Sequence, residues 1–111
     1  MKVVFINSER IGEGDEDLGR KLMGSFLYSL ARTEPKPYAV GLMNGAVRLA
    51  CEGAASLEDL RLLEADGVKV LSCGTCLDWF SLKEQLAVGA VGTMNDAAAL
   101  FMEADSVVSV G

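Results

Sequence analysis

Histidine is absent from the 111-residue sequence, and its absence limits the chemistry open to the chain. Ser-His-Asp hydrolysis and histidine-based acid–base catalysis are excluded, because both need an imidazole to carry the proton. A zinc site is not expected either, since it needs three or four ligands and the pair Cys73 and Cys76 supplies only two. Cys51 and carboxylates would have to complete such a site. We therefore expect no metal and no cofactor.

Long apolar runs and excess positive charge are also missing. The apolar segments are far shorter than the roughly 20 residues needed to cross a bilayer, which excludes a transmembrane protein. The 10 lysines and arginines stand against 16 aspartates and glutamates, a formal charge of −6, so binding to DNA or RNA is not expected. The first residues, MKVVFINSER, lack the apolar segment and the cleavage site of a signal peptide, and export is not expected.

Cysteine is scarce, with three residues in the sequence, an odd number that is too small for a disulfide framework. Such usage is typical of a reducing cytoplasm, where thiols are free to react. The cysteines therefore serve either chemistry or the core. Cys51 lies in RLACEGA with no partner nearby in sequence, and we interpret it as structural.

Strand and helix patterns alternate along the chain. Runs rich in valine, isoleucine and leucine predict strands at 2–7, 37–44, 68–72 and 105–110. Apolar residues at helical spacing predict helices at 15–34, 56–66, 82–87 and 94–104. Segment 46–55 fits either a short helix or an extended edge. This order predicts one α/β domain over 1–111, a three-layer sandwich with a mostly parallel central sheet and helices on both faces.

Sequence signals also mark where the predicted helices begin and end. Three pairs have the spacing of a capping box, namely Ser56 with Asp59, Ser81 with Glu84, and Thr93 with Asp96. Gly67 stands where a left-handed residue ends a helix. These patterns predict capping and do not by themselves indicate catalysis.

The predicted sheet brings three loops to one edge. Ligands of parallel sheets gather outside the carboxyl ends of the strands, where segments 8–14, 44–45 and 73–76 follow the first three strands. Cys73 is the best-placed reactive residue, because N–H groups of a nearby helix start would stabilise its thiolate in an open crevice. The alternative is a cysteine packed as a small hydrophobic residue. Cys76, one helical turn further, faces either the same pocket or the core.

Other residues of these loops are candidate ligand contacts. A small-molecule site at this edge would be lined by Asn7, Ser8, Asn44, Gly45, Gly74 and Thr75. We interpret Trp79-Phe80 as core rather than as a pocket wall or subunit contact. The glycines of GEGDEDLG miss the spacing of a dinucleotide-binding loop, and its acidic residues would repel a pyrophosphate.

The segments GVKVLSCGTCLDWFSLKEQL and VGAVGTMNDAAALFMEADSVVSV resemble the DsrE-like domain at the carboxyl end of YedF-type proteins, a sulfurtransferase-like group linked to selenium metabolism. The resemblance extends over essentially the whole chain. It implies a DsrE/DsrF-like fold, homo-oligomers, and a single cysteine that accepts a persulfide sulfur from a carrier protein. The position that matches this cysteine is Cys73, whereas Cys76 has no counterpart in the relay relatives. The Cys-Pro motif of the SirA/TusA-like domain that usually precedes this domain is not found in the sequence.

These observations lead to one main hypothesis and two alternatives. In the main hypothesis, Cys73 attacks a donor persulfide and holds its sulfur, or selenium in place of sulfur, within a relay that includes a SirA/TusA-like partner. Cys76 would then resolve the persulfide by closing a disulfide. Alternatively, Cys73 and Cys76 form a thioredoxin-like redox couple, although Gly-Thr lacks the proline common in that family. In the third, the chain is a non-catalytic module for oligomerisation or small-molecule binding.

Overall fold

The computed structural model describes all 111 residues, and its centre is a five-stranded parallel sheet in the order β4-β3-β2-β1-β5. The strands are β1 (Lys2–Ile6), β2 (Ala39–Leu42), β3 (Lys69–Cys73), β4 (Ala90–Gly92) and β5 (Ser106–Val110). The α-helices are α1 (Glu16–Arg32), α2 (Leu57–Ala65), α3 (Gly74–Trp79) and α4 (Met94–Glu103). Two 3-10 helices, at Asn44–Ala50 and Lys83–Gln85, complete the fold.

Helices cover both faces of the sheet, as the strand–helix alternation predicts. On one face, Met23 and Leu27 of α1 and Leu60 and Leu63 of α2 are fully buried against the sheet in the main core cluster. On the other face, α4 packs Phe101 edge-on against Phe5, with ring centroids 5.3 Å apart. The predicted α/β fold class is therefore confirmed. No helix is long and apolar enough to span a bilayer.

Helix α4 begins with the predicted capping box. The Thr93 side chain accepts from the backbone N–H of Asp96, and the Asp96 carboxylate accepts from the backbone N–H of Thr93. The two bonds satisfy free donors at the helix start, so the sequence signal and the structure agree here. Asp15 likewise caps α1, by accepting from the backbone N–H of Leu18 at 2.9 Å.

The predictions of the two other capping boxes, at Ser56 and at Ser81, are wrong. Ser56 precedes α2, but its hydroxyl donates to the Leu49 carbonyl oxygen at 2.8 Å instead of capping. Asp59 is engaged by Arg32 at 2.9 Å. Ser81 has a left-handed backbone, with φ 56°, and no cap bond follows it. At Ser56 and Asp59, contacts with Leu49 and Arg32 therefore compete with the local pattern.

The predicted helix over 82–87 is also wrong, because this segment pairs with a distant part of the chain. Only Lys83–Gln85 turns, as a 3-10 helix. Leu86 forms an antiparallel bridge with Cys51, and this pairing draws the chain out into β4, a strand that the sequence did not predict. Gly89 directly precedes β4 and has φ 78°. A Cβ there would lie 2.4 Å from the Val70 carbonyl oxygen, so only glycine fits.

Candidate functional site

The carboxyl ends of β2 and β3 meet at one edge of the sheet, as predicted for a parallel sheet. The Asn44–Ala50 3-10 helix begins after β2, and α3 begins directly after β3. A hydrogen bond of 3.1 Å joins the two starts, because the backbone N–H of Asn44 donates to Sγ of Cys76. Asn44 has a left-handed backbone, with φ 53°, a conformation that asparagine tolerates better than most residues. The sequence-predicted loops 44–45 and 73–76 therefore come together.

Cys73 is the last residue of β3 and the N-cap residue of α3. It is 8% exposed and belongs to the main core cluster, beside the fully buried Leu77 of α3. The expectation that this thiol lies in an open crevice is therefore wrong. The strand delivers the side chain beneath its neighbours, and burial of this kind depends on packing that the local sequence does not encode.

Cys76 is the more exposed thiol of the pair. It is half-buried and faces a pocket of about 230 Å³ lined by Asn44, Thr75, Cys76, Trp79 and Phe80. We call this space the thiol pocket. Of the two outcomes left open by the sequence, Cys76 thus faces the pocket. A molecule arriving from solvent meets the Cys76 sulfur before that of Cys73.

The two thiols interact directly, and both are free. Burial raises the pKa of the Cys76 thiol above its usual range, a hydrogen bond with the Cys73 side chain raises it further, and the Asn44 N–H acts in the opposite direction. Because the raising effects win, Cys76 is mostly a protonated thiol at neutral pH. A thiolate formed there is held by one backbone N–H and lies next to a second sulfur.

Arg48 supports the wall of the thiol pocket from behind. Its guanidinium lies over the Phe80 ring, 4.1 Å from the centroid, and its Nη1 is 3.5 Å from Oε1 of Glu9. Arg48 comes from the 3-10 helix after β2 and Glu9 from the loop after β1, so the contact joins two segments at the same sheet edge. The sequence offered no signal for this role, because an arginine in a 3-10 helix has no distinctive spacing.

Trp79 stands at the rim of the thiol pocket and is 82% exposed. Its interpretation as a core residue is therefore wrong, whereas Phe80 is half-buried and packs against the core. An indole exposed to this extent is costly in water and is characteristic of contact surfaces. The position of Trp79 at the end of the short α3 explains why helical spacing alone misplaced it.

The remaining predicted contacts are divided between the pocket and its surroundings. Asn44 and Thr75 line the thiol pocket together with Cys76. A Cβ placed on Gly45 would lie 3.5 Å from Nη1 of Arg48, and one on Gly74 would lie 3.0 Å from Cγ1 of Val91, so these two glycines adjoin the pocket region without lining it.

Asn7 and Ser8, the predicted contacts after β1, do not line the thiol pocket. The backbone N–H of Asn7 donates to the Val110 carbonyl oxygen at 3.2 Å, which ties this segment to β5. The Ser8 hydroxyl accepts from the backbone N–H of Arg10 at 3.0 Å. Because β1 lies between β2 and β5, its loop touches both neighbours: Asn7 is tied to β5, whereas Glu9 reaches Arg48 after β2.

Cys51 packs in the core, as its isolation in the sequence predicts. It is 3% exposed, and its thiol donates to the Val47 carbonyl oxygen at 3.2 Å. Burial raises the pKa of this thiol, and the nearby Arg48 lowers it by a smaller amount. No group of three or more cysteine, aspartate or glutamate side chains is arranged to hold a metal ion.

A larger groove of about 720 Å³ runs between α1, the Asn44–Ala50 3-10 helix and the start of α2. It contains no cysteine, and of its lining residues Arg48 alone also contacts the wall of the thiol pocket.

Comparison with known proteins identifies the fold. No family profile matches the chain, and no curated protein matches it. Among solved structures, the YchN protein of E. coli superposes with a TM-score of 0.71 at 24% identity, covering 98% of this chain and 99% of that one. The protein of unknown function MTH1491 from Methanobacterium thermoautotrophicum gives a TM-score of 0.68 at 18% identity, covering 97% of both chains.

A third structure, the conserved protein of unknown function BT1422 from Bacteroides thetaiotaomicron, gives a TM-score of 0.64 at 10% identity, with 98% of this chain and 94% of that chain covered. Likeness at such low identity establishes the fold alone. The chain therefore has a DsrE-like α/β fold.

Proposed function

We propose that the chain is a sulfur-relay protein that carries a sulfane sulfur as a cysteine persulfide on the Cys73–Cys76 pair. The observation that carries this proposal is the arrangement of two free, adjacent thiols at the carboxyl edge of the sheet, one facing an open pocket and one buried. The DsrE-like fold supports it, since the resemblance described above implies a persulfide on the cysteine that matches Cys73, with no role carried over to Cys76. The resemblance to YedF-type proteins adds selenium as an alternative cargo to sulfur.

The relay begins at the exposed sulfur. The Cys76 thiolate attacks the outer sulfur of a donor persulfide, a new S–S bond forms at Cys76, the S–S bond of the donor breaks, and the donor leaves as a thiolate. The pKa of Cys76, raised by burial and by Cys73, reduces the thiolate fraction at neutral pH. It also makes each thiolate a stronger nucleophile.

The second step moves the sulfur inward. The Cys73 thiolate attacks the outer sulfur of the Cys76 persulfide, which leaves the persulfide on Cys73 and regenerates the Cys76 thiolate. Atoms and charge balance in this exchange, and no oxidant is needed. Cys73 remains the residue that holds the sulfur, as the resemblance implies. Direct attack by Cys73 on a protein-bound donor is replaced by entry through Cys76, because Cys73 is buried.

A loading experiment tests this order. The protein is incubated with a persulfide donor, and its intact mass is measured for the wild type and for the Cys76→Ser, Cys73→Ser and Cys51→Ser variants. We expect the wild type and Cys51→Ser to gain one sulfur atom, Cys73→Ser to hold it only on Cys76, and Cys76→Ser to load much more slowly. An adduct lost in Cys51→Ser alone would contradict the proposal.

A dithiol–disulfide redox function is the second candidate, and the contact between the two free thiols favours it. Attack of Cys76 on the inner sulfur of a Cys73 persulfide would close a Cys73–Cys76 disulfide and release hydrosulfide. Redox titration with intact-mass readout separates the two functions. A pair that oxidises reversibly but never accepts sulfur from a persulfide donor is a redox couple.

Partners and assembly form a further part of the proposal. Trp79, at the rim of the thiol pocket, is the proposed contact for a SirA/TusA-like carrier in a reducing cytoplasm, and as the one tryptophan of the chain it reports binding by its fluorescence. Apolar side chains near α4 are also exposed, including Met94 at 61% and Met102 at 85%, which supports a homo-oligomer. Light scattering on the purified protein tests the assembly, and a monomeric mass would contradict it.

A further inference from the structure

A second, smaller cavity lies between the sheet and α4, and Cys73 borders it. It has a volume of about 30 Å³. Cys73, Gly41, Leu71 and Gly92 border it from the strands, and Leu100 and Phe101 border it from α4. We call it the α4 cavity. A single water needs about 10–15 Å³ of such space, so a cavity of about 30 Å³ has room for about two water-sized groups.

Two glycines create this cavity. The strand register aligns Gly41 with Leu71, and Cys73 with Gly92. Since alternate residues of a strand face the same side, Gly41, Leu71, Cys73 and Gly92 all belong to the face that α4 covers. A Cβ on Gly41 would meet no heavy atom within 4 Å. Glycine inside a strand costs stability and often marks a place where a ligand approaches the backbone closely.

We propose that the α4 cavity receives the outer sulfur, or selenium, of the persulfide held on Cys73. This inference rests on the proposed function and adds the place where the cargo is stored. Cys73 borders the cavity, most of the remaining lining is apolar although Thr93 and Asp96 also line it, and the space is large enough for a sulfur atom. The outer sulfur of a persulfide is open to attack by small thiols in solution. Leu100 and Phe101 of α4 border the α4 cavity, and we expect them to slow the approach of such thiols to a sulfur held there.

Filling the cavity tests the inference. Gly41→Ala adds one methyl group to the open space, and Gly24→Ala is the matched control, because a Cβ on Gly24 in α1 also meets nothing within 4 Å. Each protein is loaded with a persulfide donor, and peptide mapping locates the sulfur. We expect the wild type and Gly24→Ala to hold it on Cys73. In Gly41→Ala it should stay on Cys76 and be removed by a small thiol several-fold faster.

Enlarging the cavity gives an independent second arm. Leu100→Ala removes part of the wall that α4 contributes, so the sulfur should still reach Cys73 but lose its protection against the small thiol. Equal adduct position and lifetime in the wild type, Gly41→Ala and Leu100→Ala would overturn the inference. Failure of the wild type to load at all would instead contradict the proposed function. If Gly41→Ala does not fold, as judged by its urea transition, Leu100→Ala decides alone.

Discussion

The two buried serines of the chain predict stability changes of opposite sign when each is replaced by alanine. Ser72 is 1% exposed, and its hydroxyl is buried without a hydrogen-bond partner, immediately before Cys73. Ser56 is 7% exposed, and its hydroxyl donates to the Leu49 carbonyl oxygen at 2.8 Å. The same chemical change therefore removes an unsatisfied group in one place and a formed bond in the other.

The expected magnitudes follow from these contacts. A buried polar group without a partner costs about 1–3 kcal/mol, and Ser72→Ala relieves this cost. The void left by one oxygen takes back about 0.3 kcal/mol at about 24 cal/mol per Å³, so the free energy of unfolding should rise by about 1 kcal/mol or more. Ser56→Ala loses a hydrogen bond worth about 1 kcal/mol. No helix cap is lost with it, because Ser56 makes no cap bond.

Urea unfolding followed by far-UV circular dichroism measures both changes. With a slope of about 2 kcal/mol per molar urea, the midpoint of Ser72→Ala should lie about 1 M above that of Ser56→Ala, with the wild type between them. The slope should stay constant, so that the midpoint reports stability alone. If Ser72→Ala is destabilised as much as Ser56→Ala, its hydroxyl has a partner and the account of this strand end is wrong.

Three further predictions concern the thiols and the start of α4. The pKa of Cys76 is raised, chiefly by burial and then by Cys73. Its alkylation rate should therefore rise at a higher pH than that of free cysteine, whose pKa is about 8.5. Cys73→Ala should shift this pH profile to lower pH. An unchanged profile would count against the thiol contact. Thr93→Ala should lower the free energy of unfolding in urea by about 1 kcal/mol through the lost cap, while replacing the exposed Thr75 of α3 by alanine should cost less; equal losses would contradict this. Burial raises the pKa of Cys51, so the unfolded thiol ionises first. Stability is then full below the ordinary thiol pKa and falls as pH rises above it, a decline that Cys51→Ala should make shallower in thermal unfolding.

Much of the fold is readable from the sequence because its elements have strong periodicity. The apolar spacing in α1 reports its buried face, and the apolar run of β1 reports a strand in the middle of the sheet. The capping box at Thr93 is also reliable, because both of its bonds lie within four residues. Local signals of this kind need no information from elsewhere in the chain.

The elements that failed depend on distant contacts. The Ser81 pattern is overridden by the bridge between Cys51 and Leu86, and β4 is too short to carry a periodic signal. At the candidate site, the position of Cys73 at the end of a predicted strand correctly places it at the carboxyl edge of the sheet. Its burial, and the exposure of Cys76 and Trp79, are set by how α3 and α4 pack on the sheet. The α4 cavity is likewise invisible in the sequence, since Gly41 becomes meaningful only beside Cys73 in the register.

Following one sulfur atom between the two thiols tests the central claim most directly. The wild-type protein is mixed with a persulfide donor, trapped with an alkylating agent at short and long times, and digested so that the sulfur is located on Cys73 or Cys76 by mass spectrometry. The account predicts the sulfur on Cys76 at the shortest times and on Cys73 afterwards. Sulfur that appears on Cys73 without passing through Cys76, or on neither residue, would contradict it.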